Sequence, residues 1–526
     1  MTTDVSPTPE TLQPAAAGQQ HEKTPGRLFG LLILLHLTVW PLLTAAARPN
    51  PPLDMVEMLF WGHEWQLGYT KHPPLPSWAC EAMALVAGPS VWAQYLLGHL
   101  AVAVAFWAVW RLAREIVSPW LALLSVCLLE CFPFYTFECE PLNNNIGLFP
   151  CWTLTILCLY WALTTGRLRS WLGVGLWLGL GMLTKYSTAT LALTILAFGV
   201  LHPQARRAWR GPGPLLAILV SVLVFLPHLL WLQRNGFGPL RYVTWHVGTS
   251  DLAAGPFWDP LTFVAYQLLA LMPLMLALSP LVGLRWRFRP LEPTERLPLA
   301  LLAAAIFGPL LLHLIADMSP HFHLQFNYGS PFWPFFGLWL IACLRHRRSP
   351  AWRKTWKAWA VAAGVMLAVG LARPVLEPHF HHRHNRCRFP GRVLAEKVNE
   401  IWNQRFDRPL AIVAGDYFAA GNVGLFSPQR PHVYQSWQGH GTDLRMNPCP
   451  WLSEEELLRS GGVIVWNRDD PEYKDGLAAD VAKRLGVTET IALAPLPFQT
   501  TTDFPPLRAM VAIIPPHAPP RLIRAE

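Results

Sequence analysis

Long apolar runs alternate with short polar connections over residues 28–375 of this 526-residue chain. Each run approaches the ~20 residues that an α-helix needs to cross a bilayer. The runs predict membrane-spanning helices at 28–47, 91–110, 118–136, 146–165, 171–184, 187–201, 213–232, 261–282, 298–316, 331–344 and 358–375. The pattern therefore predicts an all-α polytopic membrane protein with about eleven transmembrane helices.

The start of the chain differs from this apolar middle. Residues 1–26 are polar and rich in Pro, Thr, Gln and Ala, a composition typical of disorder. The first apolar run, from Leu28, is too long for the cleaved core of a signal peptide. We therefore expect a disordered cytoplasmic tail over 1–26, followed by a transmembrane domain over 27–375 whose first outer loop is 48–90.

Hydropathy falls to that of a soluble domain after about residue 376. Residues 391–402 have the apolar spacing of a helix, whereas 409–415 and 462–466 have the short apolar runs of buried strands. Residues 376–526 are therefore predicted to form a small α/β domain. Since its sequence contains no catalytic constellation, we expect it to act as a lid or a docking surface.

The basic residues of the loops predict the orientation of the bundle. With the N-terminus in the cytoplasm, the inner loops and tail carry nineteen Lys and Arg residues and the outer loops carry five. This asymmetry follows the positive-inside rule. An odd number of spans then places the C-terminal domain outside the cytoplasm. A re-entrant hairpin at 171–201 would change the parity, but it would leave Arg206, Arg207 and Arg210 on the outer side.

Composition excludes most other classes of protein. Hydrophobic residues make up 52% of the chain and charged residues 14%, against about 25% charged residues in a soluble domain. A soluble protein of this size could not cover its surface with so few charges. The net charge of +9 comes from the inner loops, so it does not indicate a nucleic-acid partner. The chain has no Walker loop, which leaves nucleotide-driven transport without support.

The first outer loop carries the first candidate chemistry. Residues 54–68 mix acids with Met, Leu, Phe and Trp, which predicts an amphipathic helix lying in the membrane interface. Asp54 and Glu57 are three residues apart and share one face of such a helix. Two carboxylates beside a lipid surface can serve as a general base and a cation ligand, or as two ligands. The alternative is that they only solvate the helix.

Two basic positions follow. The first is the segment before Pro73-Pro74, which contains Tyr69, Thr70, Lys71 and His72. A lysine and an imidazole held by an extended Pro-Pro turn suit a phosphate group. Lys185 stands at the end of a predicted span in GLGMLTKYSTATL. A lysine at that depth is costly unless it reaches the surface or is paired, which makes it a functional candidate.

Two further outer loops contain polar clusters. The short connection between the third and fourth predicted spans contains two acids and three amides: Glu138, Glu140 and Asn143 to Asn145. These residues either complete a metal or sugar site with the first loop or, through Asn145, cap the fourth span. His321 lies near Asp317 in a later outer loop, where an interfacial histidine is more often structural than a ligand.

The stretch DMVEMLFWGHEWQLGYTKHPPLPSW in the first outer loop resembles the signature of bacterial family 39 glycosyltransferases. These are relatives of the protein O-mannosyltransferases and of the lipid A aminoarabinose transferase. The resemblance extends over about residues 28–375 and includes PLNNNIGLFPCW, GLGMLTKYSTATL and FLPHLLWLQRNGFGPLRYV. It implies a GT-C fold, with interfacial helices in the first outer loop.

The resemblance also implies an activity and a location. Such enzymes pass a sugar from a polyprenyl-phosphate carrier to a hydroxyl acceptor, and they invert the anomeric centre. The acceptor class is lipid A, another periplasmic glycan or a protein. The expected location is the bacterial inner membrane, with the active site facing the periplasm and in contact with membrane lipid. No nucleic-acid partner is expected.

The implied roles follow the residues above. A carboxylate, Asp54 or Glu57, acts as the base. Many relatives have adjacent Asp and Glu; aligning their Glu with Glu57 leaves Val56 at the Asp position, and we favour Asp54 because it retains a carboxylate just before the helix. The predicted substrate contacts are Lys71, His72, Tyr69, Lys185, Asn143 and His321. Metal use varies in the family, and a divalent cation would be held by Asp54, Glu138 and Glu140.

A lipid or solute transporter is the main alternative. A transporter is expected to show charges or broken helices near the middle of its spans, and an inverted repeat. In this sequence the ionisable residues gather at one face of the predicted bundle and no repeat is apparent. The pattern favours chemistry at the membrane surface over transport. An inactive scaffold, the third hypothesis, would not depend on the acids of the first loop.

Overall fold

The computed structural model describes residues 13–139, 141–240, 258–281, 292–318, 324–344, 349–380, 386–434, 449, 451–469, 482–483, 485–499 and 505–516. The helices up to residue 380 are α1 (Gln13–Ala47), α2 (Leu53–His63), α3 (Leu75–Ala87), α4 (Val91–Ile116), α5 (Pro119–Cys127), α6 (Leu148–Thr165), α7 (Leu168–Thr184), α8 (Thr188–Leu201), α9 (Pro203–Ala208), α10 (Gly213–Arg234), α11 (Trp258–Leu278), α12 (Pro293–Asp317), α13 (Phe336–Leu344) and α14 (Ser349–Phe380).

Each of the eleven predicted spans coincides with a helix. Among the described residues, seven helices are long and apolar enough to cross a membrane by themselves: α1, α4, α6, α10, α11, α12 and α14. The other four spans coincide with the shorter helices α5, α7, α8 and α13. Helix α5 is extended by 3-10 turns at Leu128–Cys131 and Pro133–Tyr135, which lengthens the segment to most of a membrane thickness.

The predicted boundary of the N-terminal tail is wrong for residues 13–26. Helix α1 begins at Gln13 and continues without interruption into the first span. Ala, Gln, Glu and Lys, which are good helix formers, dominate this stretch and prolong the helix that the apolar run nucleates. Residues 1–12 lie outside the described residues.

A buried polar network inside the bundle was not anticipated. Glu130 accepts hydrogen bonds from Trp40 Nε1 at 2.9 Å and pairs with His36 Nδ1 at 2.8 Å. His99 Nδ1 lies 3.1 Å from His36 Nε2. The expectation that ionisable residues gather only at one face is therefore wrong, because these three ionisable side chains lie within predicted spans. The network satisfies a buried carboxylate and ties α1 to α4 and to the turn after α5.

Helices α7 and α10 approach each other closely at small residues. A Cβ added at Gly175 would meet the backbone carbonyl of Ala217, and one at Gly179 would lie 2.7 Å from Val224 Cβ. Glycines spaced by four residues form one small-residue face, which is a common way to bring membrane helices together. This contact holds Lys185, at the end of α7, in a fixed place.

The C-terminal residues form the predicted α/β domain. Its helices are α15 (Gly391–Asn403), α16 (Tyr417–Phe426) and α17 (Glu454–Ser460), and its strands are β1 (Ile412–Gly415), β2 (His432–Tyr434), β3 (Gly462–Asn467), β4 (Glu489–Ala492) and β5 (Ala509–Ile514). The sheet has the order β2-β1-β3-β5-β4. Strands β2, β1 and β3 are parallel, whereas β5 runs antiparallel to both β3 and β4. The predicted helix at 391–402 and the strands at 409–415 and 462–466 are confirmed.

The α/β domain docks directly on the first outer loop. Every residue of α2 from Met55 to Gly62 is buried, and α2 packs between α3 and α16. A Cβ at Gly421 of α16 would collide with Val56. The prediction of an interfacial helix over 54–68 is therefore wrong in extent and surroundings, since α2 ends at His63 and protein covers its apolar side chains. The apolar side chains of α2 are buried by the α/β domain, where the sequence predicted contact with lipid.

Candidate functional site

Asp54 lies in the first turn of α2, where the amino end of the helix favours a negative charge. Its side chain is exposed, and its Oδ2 accepts a hydrogen bond from Asn143 Nδ2 at 3.2 Å. Burial by the surrounding protein raises the pKa of Asp54, and the charge of Glu57 raises it further. Because the carboxylate is exposed although protein atoms surround it, we infer that it lines an open cavity. This arrangement suits a proton acceptor that must be reached by a substrate.

The three asparagines after the third predicted span build one wall of this cavity. Asn143 Oδ1 accepts from the backbone N–H groups of Asn145 at 2.9 Å and Ile146 at 3.0 Å, which turns its Nδ2 toward Asp54. Asn144 Nδ2 donates to the carbonyl of Thr184 at 2.6 Å. The alternative in which Asn145 caps the fourth span is wrong, since Gly147 is the N-cap of α6 and no side chain caps it.

Lys185 points into the same site. It is the C-cap of α7, its Nζ donates to Asn145 Oδ1 at 2.7 Å, and it lies 3.7 Å from the ring centre of Tyr328. Burial lowers the pKa of Lys185 to about 8, although the charge of Asp54 opposes the shift. The amine is therefore held inside the protein by an amide and an aromatic face, and it does not reach outward to the lipid surface.

Glu57 lies one turn after Asp54 and is buried. Its Oε1 accepts hydrogen bonds from the ammonium of Lys71 and from the hydroxyl of Tyr417. Lys71 Nζ also lies 3.5 Å from the Tyr417 hydroxyl and 4.8 Å from the centre of its ring. The two carboxylates that the sequence placed together thus have different surroundings: Asp54 faces the cavity, whereas Glu57 is engaged by a cation and a phenol.

The Pro-Pro turn brings His72 beside the two lysines. Burial, followed by the charges of Lys185 and Lys71, lowers the pKa of His72 to about 3. The imidazole is therefore neutral near pH 7 and offers one N–H donor, without a charge of its own. The site combines one neutral donor with two amines, a set that can hold an anionic oxygen group.

Tyr69 has a different place from the predicted one. Its ring is fully buried, stacks on Trp61 at 5.4 Å and meets the edge of Trp451 at 5.7 Å. Its backbone N–H donates to the carbonyl of His72 at 3.1 Å. Tyr69 therefore shapes the turn that carries Lys71 and His72, and its predicted contact with a substrate stays a prediction.

The predicted metal ligands do not come together in the part of the chain that the structure describes. Glu138 pairs with Arg373 of α14 at 3.3 Å, and Glu140 and His321 lie outside the described residues. Within the described ranges no group of three His, Cys, Asp or Glu side chains is placed to hold a metal ion. Three such ligands are the usual minimum for zinc, and the predicted divalent cation stays a prediction.

Two contributors to the site were missed in the sequence. Tyr328 lies in a 3-10 turn at Phe326–Phe332 and covers Lys185. Tyr417 begins α16 directly after β1, and Asp416 caps the helix by accepting from Ala419 N–H at 2.6 Å. The carboxyl end of a parallel strand is a usual position for functional side chains, so the IVAGDY segment carried a usable signal.

The fold and the convergence of carboxylates and amines at one end of a helical bundle define a polytopic membrane protein with the GT-C fold. The structure is similar to that of ArnT from Cupriavidus metallidurans in the apo state, with a TM-score of 0.59 and 13% identity over 95% of this chain and 98% of that one. The same protein bound to undecaprenyl phosphate gives a TM-score of 0.58 and 13% identity over 92% and 97% of the two chains.

Sequence comparisons find partial similarity to known glycosyltransferases. Residues 71–231 match the family model described as dolichyl-phosphate-mannose-protein mannosyltransferase. The lipopolysaccharide core galacturonosyltransferase RgtA of Rhizobium johnstonii is 26% identical over 39% of this chain and 42% of its own length. RgtB of the same organism is 25% identical over 74% and 80%. An undecaprenyl phosphate-aminoarabinose arabinosyl transferase of Pseudomonas paraeruginosa is 27% identical over 47% and 46%.

These comparisons confirm the resemblance to the family 39 glycosyltransferases that the first outer loop shows: a family model matches residues 71–231, and the relatives are named as glycosyltransferases. Several of the matches are partial. The matched regions of RgtA and of the lipid A galacturonosyltransferase RgtD span 42% and 46% of those proteins.

Proposed function

We propose that the protein transfers a sugar from a polyprenyl-phosphate donor to a hydroxyl acceptor on the periplasmic face of the bacterial inner membrane. The observation that carries the proposal is the exposed carboxylate of Asp54, which lies within the electrostatic influence of Lys71 and Lys185, as does His72. The relatives named for undecaprenyl-phosphate sugars support the donor class. Those named for the lipopolysaccharide core and lipid A support an envelope glycolipid as acceptor.

Asp54 is the base in this proposal. It takes the proton of the acceptor hydroxyl while the acceptor oxygen bonds to the anomeric carbon, and the bond from that carbon to the phosphate oxygen breaks on the opposite face. The electron pair of the broken bond stays on the polyprenyl phosphate. Because the acceptor attacks on the face opposite to the leaving phosphate, the anomeric centre inverts. The raised pKa of Asp54 makes its carboxylate a better proton acceptor than an ordinary aspartate.

Glu57 has different hydrogen-bond partners and is not assigned as the base. Its Oε1 already accepts from Lys71 and Tyr417, and its side chain is 5% exposed. A buried carboxylate with two donors is poorly placed to receive a proton from a substrate. We assign Glu57 the role of holding Lys71 near the donor phosphate.

The leaving phosphate would be met by Lys71, Lys185 and the N–H of His72. Amines placed where negative charge develops stabilise the transition state directly. No step is routed through a metal ion, since the described residues form no three-ligand site.

An apolar groove of about 490 Å³ runs between α8 and α12 and suits the lipid tail of the donor. It is lined by residues such as Phe198, Leu201, Ala304 and Leu311. Helix α8 begins three residues after Lys185, and the groove lining begins at Leu193 on the same helix. In this proposal the lipid tail follows α8 from a phosphate held at Lys185 to the groove.

The first experiment compares Asp54→Asn with Glu57→Gln in proteoliposomes that contain undecaprenyl-phosphate sugar and lipid A. Transfer is read as the mass added to lipid A. We expect Asp54→Asn to lose at least about a hundredfold in rate, the usual contribution of a general base, and to retain binding of undecaprenyl phosphate. Glu57→Gln should keep measurable transfer, because Glu57 is not the base.

Full activity of the Asp54→Asn protein would refute the assignment of the base. Mass spectrometry of lipid A and envelope glycans from a deletion strain identifies the sugar and the acceptor, because the missing residue reports both. Unchanged lipids and glycans in that strain, together with donor uptake that needs no transfer, would favour a transporter instead.

A further inference from the structure

The α/β domain contributes a side chain to the site through Tyr417. The tyrosine is the first residue of α16, and its ring packs edge-on against Phe60 of α2 at 5.4 Å between ring centres. Its hydroxyl donates to Glu57 Oε1, the same oxygen that receives the ammonium of Lys71. A phenol, a carboxylate and an amine from three segments of the chain therefore meet at one oxygen atom.

Two ion pairs hold the domain so that Tyr417 keeps this place. Arg430 forms a bidentate pair with Glu81 of α3, at 2.8 and 2.7 Å. His432 of β2 lies 2.9 Å from Glu64, just after α2. Glu64 directly follows α2, and Glu81 lies in α3, which packs on α2, so the domain is fastened to both helices of the first loop. Tyr417 is positioned by this docking and not by its own hydrogen bond alone.

When the donor binds, its phosphate and Glu57 compete for the ammonium of Lys71. Donor binding is part of the proposed function, so this argument rests on it. Lys71 is needed at the donor phosphate, yet its ammonium is bound to Glu57. If Lys71 turns to the phosphate, Glu57 loses its cation and stays buried. An unpaired buried carboxylate is costly, so Glu57 would hold Lys71 back unless another donor remained. Tyr417 is such a donor.

We propose that Tyr417 is a positioning residue for donor binding, whose hydroxyl keeps Glu57 hydrogen-bonded while the Lys71 ammonium moves to the donor phosphate. The α/β domain is then part of the donor site and more than a lid. A phenol suits this role because it donates to the carboxylate without adding a positive charge that would compete with Lys71.

The test measures binding of undecaprenyl phosphate itself to the full-length protein in detergent, and transfer separately. In Tyr417→Phe we expect donor affinity to fall about tenfold, because a charge-assisted hydrogen bond is lost, and kcat at saturating donor to change less than about twofold. Tyr266→Phe removes a hydroxyl from an exposed ring of α11 and serves as the matched control, with unchanged affinity.

A second variant separates this role from simple packing. In a Glu57→Gln background there is no carboxylate to satisfy, so adding Tyr417→Phe should change donor affinity by less than about twofold. A full tenfold loss in that background would assign the effect to domain docking and overturn the proposal. Equal affinity of wild type and Tyr417→Phe would also overturn it, while leaving the proposed function intact. Failure of the wild-type protein to bind undecaprenyl phosphate would overturn both.

Discussion

Donor binding should weaken in alkaline solution because of Lys185. Burial lowers the pKa of this amine to about 8. With that value, about nine-tenths of the side chain is protonated at pH 7 and about one-tenth at pH 9. If the ammonium contacts the donor phosphate, affinity should fall about tenfold between these pH values. The phosphate itself ionises near pH 6, so its charge is nearly constant over this interval.

The informative change is Lys185→Arg. A guanidinium stays protonated throughout this range. It can also donate to Asn145 Oδ1 and stack on Tyr328, the two contacts that Lys185 makes. The variant should therefore bind the donor at pH 7 and lose the alkaline decline. Lys185→Met, which has no charge at any pH, should bind weakly with no decline.

The assay is equilibrium binding of undecaprenyl phosphate to detergent-solubilised protein at half-unit steps from pH 7 to pH 9.5, with circular dichroism at each pH to confirm that the helices persist. Flat wild-type affinity across this interval would refute the proposed contact of Lys185 with the donor. A decline of the same size in Lys185→Arg would show that another group titrates, and it would refute the reasoning as well.

Two other predictions concern the membrane bundle. Glu130→Ala should destabilise the protein by about 3 kcal/mol, because His36 and Trp40 lose a buried acceptor; an unchanged thermal unfolding temperature in detergent would contradict the network. Gly175→Ala should lower that temperature although alanine favours helices by about 1 kcal/mol, since its Cβ would meet the carbonyl of Ala217. The control Gly364→Ala, which meets nothing within 4 Å, should not lower it, and equal behaviour of both glycine variants would refute the close contact.

The buried Glu130 network also bears on the transporter alternative. Ionisable groups within spans were the feature expected of a transporter, and His36, His99 and Glu130 are such groups. They are nevertheless bound to one another and to Trp40. These contacts join α1, α4 and the turn after α5, whereas Asp54 is an exposed carboxylate within the electrostatic influence of Lys71 and Lys185. The site chemistry therefore still favours sugar transfer.

Local patterns were sufficient for several parts of the molecule. A bilayer forces each spanning segment to satisfy its own backbone, so hydropathy alone located helices at all eleven predicted spans. The α/β domain was recognisable because its helix and strands have different apolar periods. Polar groups beside a membrane are energetically costly and rare. For this reason the sequence alone identified Asp54, Lys71, His72 and Lys185 as candidates.

Other features depended on contacts between distant segments. Tyr417 reaches Glu57 across 360 positions of sequence, and Asn143 reaches Asp54 across 89. The spacing of Asp54 and Glu57 put both acids on one helix face but could not decide which of them faces a cavity. The interfacial helix was mispredicted for the same reason, because an apolar face has the same pattern whether lipid or protein covers it.

The sequence by itself determined that this is a membrane-embedded helical protein with a soluble α/β domain, and it identified the acids and amines available for chemistry. Only the tertiary structure decided their roles. The docking of the α/β domain buries Glu57 against Tyr417 and leaves Asp54 accessible. The physical reason is that reactivity depends on solvent exposure and on neighbouring charge, and both arise from segments far apart in the chain.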